Sequence, residues 1–321
     1  MTVDALLGIE GLRVAFPAGG GWAEAVRGVS LSVAAGEAVG LVGESGSGKS
    51  ITALAAMRLL PPAARVLSGS VAFAAENLLA LPERAMRQVR GRRISMVFQD
   101  PLTSLNPAFT IGTQLIDTIR AHRAVDRAAA RAQAVEALDM VGIPSALRRL
   151  DFYPHEFSGG MRQRALIAMA VACRPQLLIA DEPTTALDVT IQSQVIGLLN
   201  RLRRELGLAV LFISHNLDLV AEVCDRVVVM YAGRVAEEAP VAELFAHPRH
   251  PYTRLLQRCI PRLGDTGEAL TSIDGAPPTL GAFPPGCAFA PRCPDAQQRC
   301  HHEAPTERPA ANGRVACWAV A

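Results

Sequence analysis

Residues 36–50 read Gly-Glu-Ala-Val-Gly-Leu-Val-Gly-Glu-Ser-Gly-Ser-Gly-Lys-Ser and constrain the chain more than any other stretch. Ala38 to Val42 is a short apolar run that reads as a buried strand. It empties into the turn Gly43, Glu44, Ser45, Gly46, Ser47 and Gly48, after which Lys49 and Ser50 open a helix carrying Ile51, Leu54 and Met57. This is the full G-x-x-x-x-G-K-S pattern in a strand–turn–helix setting. Its glycines let successive amides point inward, and the helix start adds donors without intrahelical partners, so the loop can wrap a triphosphate. Lys49 can reach the β and γ phosphates, and the Ser50 hydroxyl can hold magnesium. Of the 32 basic residues 31 are arginine, and Lys49 is the sole lysine. A compact, flexible ammonium thus stands at the one position that needs a point charge rather than a planar fork.

The totals bound the rest. A chain of 321 residues holds either one large domain with an appendage or two domains, and with half its residues hydrophobic most of it should be ordered. A net charge of +2, with no dense basic tract interleaved with aromatics, argues against a nucleic-acid groove. The apolar run 165–173 is only nine residues long between Arg164 and Arg174, too short to span a bilayer, and reads as a buried helix. The amino terminus shows no basic region followed by a long apolar core, so the chain is expected to stay in the cytoplasm. Seven cysteines in that compartment argue against a disulfide framework.

Along the chain, residues 7–16 and 26–33 read as strands with a turn at 17–21. Phe16 or Trp22, just ahead of the phosphate loop, could offer an adenine ring a stacking platform. Residues 69–73 and 93–98 read as further strands, the second ending at Gln99, which can ligate magnesium or orient water. Residues 100–175 read mostly as helix, an insertion into an α/β core. Asp126 caps one helix, whose face carries Ala134, Val135, Leu138 and Val141 and which Gly142 ends. Ser158, Gly159 and Gly160 precede another helix and offer a hydroxyl and free amides for a second phosphate contact.

The strand 177–180 ends in Asp181 and Glu182. Asp181 can bind magnesium through water, and Glu182 can polarise the water that attacks the γ phosphate. Asp188 opens a helix over 190–205, and the strand 209–213 ends at Ser214 and His215, a candidate to hydrogen-bond the γ phosphate. Residues 227–230 and 234–236 flank a Tyr-Ala-Gly turn as a hairpin. The fold class is therefore α/β: a phosphate-loop core on a mixed sheet, an inserted helical subdomain and a small irregular extension that carries cysteines. One phosphate loop and no internal repeat mean that two complete sites require two chains.

With these residues in place, the sequence resembles the ATP-binding subunit of an ABC transporter, within the dipeptide, oligopeptide and nickel importer group. The resemblance rests on the phosphate loop 43–50, the glutamine loop at Gln99, the signature 157–163, the carboxylates Asp181 and Glu182, the segment 186–188 and the switch histidine His215, all in order. It implies residues 1–250 as the ATP-binding domain and 251–321 as a peptide-importer-type extension. It also implies ATP and magnesium as cofactors, held in a head-to-tail dimer between Lys49 of one subunit and the signature around Ser158 of the other. The implied partners are a second ATP-binding subunit, two transmembrane permeases and an extracytoplasmic binding protein, with the chain at the cytoplasmic face of the membrane. Residues 99–120 should receive a permease coupling helix. Met161 stands where many members of the superfamily carry glutamine.

Beyond a proline- and glycine-rich segment, Cys287, Cys293, Cys300 and Cys317 give C-x5-C-x6-C-x16-C. Four thiolates can hold zinc or a four-iron cluster, and these spacings are wider than those of a zinc ribbon. The family resemblance implies a [4Fe–4S] cluster, with zinc, or free or transiently paired thiols, as the alternatives. Cys173, Cys224 and Cys259 read as core residues.

Overall fold

The computed structural model describes residues 5–185, 187–259 and 273–320, the side chain of Leu102 apart. In chain order it shows β1 (Ala5–Ala18), β2 (Gly21–Ala34), β3 (Ala38–Val42), α1 (Lys49–Ala56), β4 (Arg65–Phe73), β5 (Glu76–Asn77), α2 (Glu83–Val89) and β6 (Ile94–Val97). Then come α3 (Pro101–Ser104), α4 (Ile111–His122), α5 (Arg127–Met140), α6 (Ala146–Arg149), α7 (Gly159–Val171), β7 (Leu177–Asp181), α8 (Val189–Leu206) and β8 (Ala209–Ser214). The chain closes with α9 (Leu217–Val223), β9 (Arg226–Tyr231), β10 (Arg234–Pro240), α10 (Val241–Ala246), α11 (Pro251–Arg258), β11 (Arg308–Ala310) and β12 (Gly313–Val315). Two compact units result: residues up to Ala34, Ala38–Ala80 and from Phe212 onward form one, and Ala35–Glu37 with Leu81–Leu211 the other.

The first unit contains an antiparallel sheet in the order β2-β1-β4-β5. Its β1–β2 hairpin is longer than the sequence pattern predicts, because Pro17 pairs with Trp22 and Ala18 with Gly21. Only Gly19 and Gly20 are left to turn, both at positive φ, the geometry a two-residue hairpin loop demands. The same unit holds β11-β12-β10-β9-β3, with β3 parallel to β9 and the other pairs antiparallel. All five residues of β3 are buried, as its unbroken apolar run requires. The hairpin expected around the Tyr-Ala-Gly turn is β9–β10. The extension was not expected to contain strands, yet β12 pairs with β10 through Glu237↔Val315 and Glu238↔Arg314.

The second unit pairs β6 with β7 in parallel, Ile94 against Leu177 through Val97 against Ala180. Its helices α3–α7 follow β6 in sequence and precede β7, so the insertion lies between two neighbouring strands. Asp126 caps α5 by accepting from the Ala129 N–H at 2.7 Å. The buried stripe of α5 is Ala130, Ala134, Ala137 and Leu138, whereas Val135 is half-buried. Small alanines form this face because α5 packs against α4 and α7. Among the described residues no helix is long and apolar enough to cross a membrane.

Candidate functional site

The phosphate loop keeps its shape for reasons written into its glycines. Gly43 has φ +150, and a Cβ there would lie 2.2 Å from the Met230 carbonyl oxygen, so no other residue fits. Gly48, at φ +100, is the left-handed residue from which α1 starts. Lys49 is buried, and its ammonium donates to the carbonyls of Gly43 at 2.7 Å and Glu44 at 3.0 Å and to Ser47 Oγ at 3.4 Å. The cation is thus folded back over its own loop. A residue the sequence pattern did not flag anchors the same turn: Tyr252 Oη accepts from the Glu44 N–H at 2.8 Å. Tyr252 is fully buried, and burial pushes its phenol far above its ordinary range, so the hydroxyl stays protonated.

In the same unit, His215 is exposed just beyond the end of β8, and Phe16 is half-buried near the end of β1. Trp22 is 45% exposed, with the Arg65 guanidinium 4.4 Å from its ring centroid. That contact is a cation–π pair on an accessible ring. Trp22 is therefore the more accessible of the two candidate platforms.

The second unit carries the carboxylates. Asp181 ends the wholly buried β7 and is itself 6% exposed, while Glu182 follows at φ +46. That left-handed backbone is uncommon for a residue with a side chain and is held by its surroundings. Glu182 Oε2 accepts from Gln99 Nε2 at 3.0 Å and from Thr185 Oγ1 at 2.9 Å. Gln99 and Glu182, predicted as separate site residues, meet here. Thr185 is a third member of the group, and its position three residues after Glu182 was the available signal.

Ser158 and Asp188 serve first as helix caps. Ser158 Oγ accepts from the Met161 N–H at 3.3 Å at the start of α7, and Asp188 Oδ1 from the Ile191 N–H at 2.9 Å at the start of α8. Both are exposed, so each presents a helix N-terminus to solvent. Gly160 has a packing reason that the sequence did not reveal: a Cβ there would sit 2.9 Å from Ile191 Cγ2. Ser50 in the first unit offers a hydroxyl oxygen, and Gln99 and Asp181 in the second an amide and a carboxylate oxygen, each a hard donor of the kind magnesium takes.

Cys287, Cys293, Cys300 and Cys317 are free thiols in the extension, Cys300 and Cys317 buried and the other two half-buried. The Cys287 N–H donates to the Cys300 carbonyl at 2.7 Å. Burial pushes the Cys287 and Cys317 thiols up and that of Cys293 to about 11, with neighbouring cysteines of the set adding to each shift. The four are thus electrostatic neighbours. Among the described residues, however, no three Cys, His, Asp or Glu side chains gather closely enough to hold one metal ion. The expected closed metal site is not formed among the described residues. Cys173 and Cys224 are buried, as predicted, and Cys259 is half-buried.

Residues 26–185 match the ABC transporter family, and residues 236–300 match the oligopeptide/dipeptide transporter C-terminal region. The chain is 49% identical to the oligopeptide transport ATP-binding protein OppD of Escherichia coli, covering 95% of this chain and 90% of that one. It is 47% identical to the dipeptide transport ATP-binding protein DppD of Bacillus subtilis, over 98% and 95% of the two chains. A dimeric ATP-binding cassette solved in a post-hydrolysis state with ADP and phosphate superposes with a TM-score of 0.65 at 27% identity, over 73% of this chain and 98% of that one.

Proposed function

The chain belongs to the ABC transporter family, as an ATP-hydrolysing subunit of the oligopeptide and dipeptide import group, and from that premise we propose what its residues do. The observation that carries the proposal is the Glu182 carboxylate, fixed by Gln99 and Thr185 at the end of a buried strand in a chain with a complete phosphate loop.

In this reading the amides of Gly43, Glu44, Ser45, Gly46, Ser47 and Gly48 cradle the phosphates of ATP. Lys49 leaves its loop carbonyls to meet the β and γ phosphates. Ser50, Gln99 and Asp181 hold magnesium, which supplies charge neutralisation when bound. Glu182 accepts the proton of the attacking water, and His215 donates to the γ phosphate. Trp22 or Phe16 stacks on adenine. Ser158, Gly159 and Gly160 at the start of α7, with Asp188 at the start of α8, close on the nucleotide of a second subunit, supported by the solvent-facing helix starts they form. Residues 1–250 make up the ATP-binding domain, with the helical subdomain at about 100–175, and 251–321 the extension.

The proposed assembly contains a related second ATP-binding chain, two permeases received near residues 99–120, and an extracytoplasmic binding protein, with this subunit peripheral on the cytoplasmic face. The cargo is a dipeptide or short oligopeptide. The proposed occupant of the four extension thiols is a [4Fe–4S] cluster, with zinc or free thiols the alternatives; its support is the run of four cysteines at C-x5-C-x6-C-x16-C, and binding would have to draw together side chains that do not gather as they stand. Iron and acid-labile sulfide in equal amounts after anaerobic purification test that assignment, and stoichiometric zinc without iron would overturn it.

The proposal for the nucleotide is tested by ATP binding to the purified chain in the presence of magnesium. The expected result is saturable binding that Lys49→Ala abolishes. Binding indifferent to that substitution would refute the site.

A further inference from the structure

Glu44 is the one acidic residue in the loop 43–50, at a place where a polyanionic triphosphate is to be bound. An uncompensated carboxylate there would repel the ligand, so its surroundings decide whether the loop can work. Arg292 meets it in a two-pronged ion pair, Nη1 donating to Oε2 at 2.7 Å and Nη2 to Oε1 at 2.9 Å. This bidentate geometry is the strongest form that an arginine–carboxylate contact takes.

The fork is itself held. Arg292 Nε donates to the Asp274 carbonyl at 3.0 Å, Nη2 to the Ile273 carbonyl at 3.2 Å, and Nη1 to Tyr231 Oη at 3.2 Å. Its side chain is only 6% exposed. It ends a short 3-10 turn, Ala290–Arg292, which follows directly on the buried ring of Phe289. Phe289 packs against Tyr231 and Tyr252 with ring centroids 5.1 and 5.3 Å away.

Glu44 is therefore a junction. Its carboxylate takes Arg292, its N–H donates to Tyr252 Oη, and its carbonyl accepts from Lys49 Nζ at 3.0 Å and from the Ser47 N–H at 3.2 Å. A chain of direct contacts runs from the extension through Glu44 to the lysine that is to bind phosphate. Resting on the nucleotide reading above, we propose that Arg292 is a positioning residue for ATP binding: it neutralises Glu44 and pins the first turn of the phosphate loop, so the C-terminal extension sets the affinity of the site for nucleotide.

The test compares binding of a fluorescent ATP analogue to the full chain carrying Arg292→Gln, Arg292→Lys, and Arg292→Gln with Glu44→Gln, with Lys49→Ala as the control for the site itself. Arg292→Gln leaves a bare carboxylate in the loop and should raise the Kd about tenfold, equivalent to about 1.4 kcal/mol. Arg292→Lys keeps the charge but loses the fork, and should fall between that variant and the wild type. Adding Glu44→Gln removes the orphaned charge and should bring the Kd back to within about threefold of wild type, a recovery that a purely structural role for Arg292 would not produce. Thermal unfolding of each variant identifies any that fail to fold, and the lysine and double variants keep the test available if Arg292→Gln is one of them. A Kd unchanged in Arg292→Gln and Arg292→Lys, or a double variant no better than Arg292→Gln, overturns the proposal. If the wild-type chain binds the analogue no better than Lys49→Ala does, the nucleotide reading itself has failed instead.

Discussion

Gln99 and Glu182, 83 positions apart in the chain, are joined by a hydrogen bond of 3.0 Å from the glutamine amide to one carboxylate oxygen. The bond carries a consequence for catalysis. It fixes the orientation of the proposed general base in the absence of nucleotide, and the same oxygen is shared with Thr185.

Replacing Glu182 by Gln removes the base while keeping the amide-sized side chain in place. ATP turnover should fall by about 10²–10⁴-fold, the usual contribution of a positioned base. Nucleotide binding should persist. Steady-state phosphate release beside equilibrium ATP binding separates the two, and a variant that still turns over at the wild-type rate would remove Glu182 from the role.

Gln99→Ala frees one side of that carboxylate without touching its charge. Turnover should drop less than in Glu182→Gln, by about tenfold, since the net worth of one hydrogen bond to a charged group is about 1.5–3 kcal/mol and Thr185 still holds the oxygen. Adding Thr185→Ala should deepen the loss. Phosphate-release assays on the single and double variants check this.

His250 ties pH to stability. It is fully buried, accepts from the Tyr252 N–H through Nδ1 at 3.0 Å, and lies against Phe289 with Arg254 nearby. Burial lowers its pKa from 6.5 to about 4. Between those values the unfolded chain binds a proton that the folded chain does not, so this contribution is full above pH 6.5 and is lost as pH falls toward 4. His250→Asn keeps a helix-capping acceptor and removes the titration. Chemical unfolding at pH 7 and pH 5 should show a smaller loss of stability on acidification in the variant than in the wild type.

Trp22 offers an optical reading of the proposed adenine site. The chain has two tryptophans, the other being Trp318. In a Trp318→Phe background the remaining emission comes from Trp22, and ATP should quench it with the same concentration dependence as binding. ATP binding that leaves the Trp22 emission unchanged and is weakened by Phe16→Ala would move the stacking role to Phe16.

Much of the site was legible because its chemistry follows strand ends. The apolar runs 38–42 and 177–180 each stop at a polar residue or glycine, and the structure makes both into buried strands that deliver Gly43 and Asp181. Asp126 and Asp188 announced their helices through cap chemistry that is local in sequence. What stayed hidden depends on contacts across long stretches of chain. Nothing near Tyr252 or Arg292 signals that they meet Glu44, 208 and 248 positions away. Gly160 read as a phosphate contact, although its lack of a side chain also answers to Ile191. The strands β11 and β12 are three residues long, too short for an alternating pattern to register; β12 adds to the edge that β10 offers, and β11 adds to β12.

The measurement that bears most directly on the central claim is uptake of a labelled dipeptide into proteoliposomes holding this chain, the proposed second ATP-binding chain, the permeases and the binding protein. Uptake that requires ATP and stops with Glu182→Gln is the predicted result. Peptide uptake indifferent to ATP, or nickel carried in place of peptide, would contradict it.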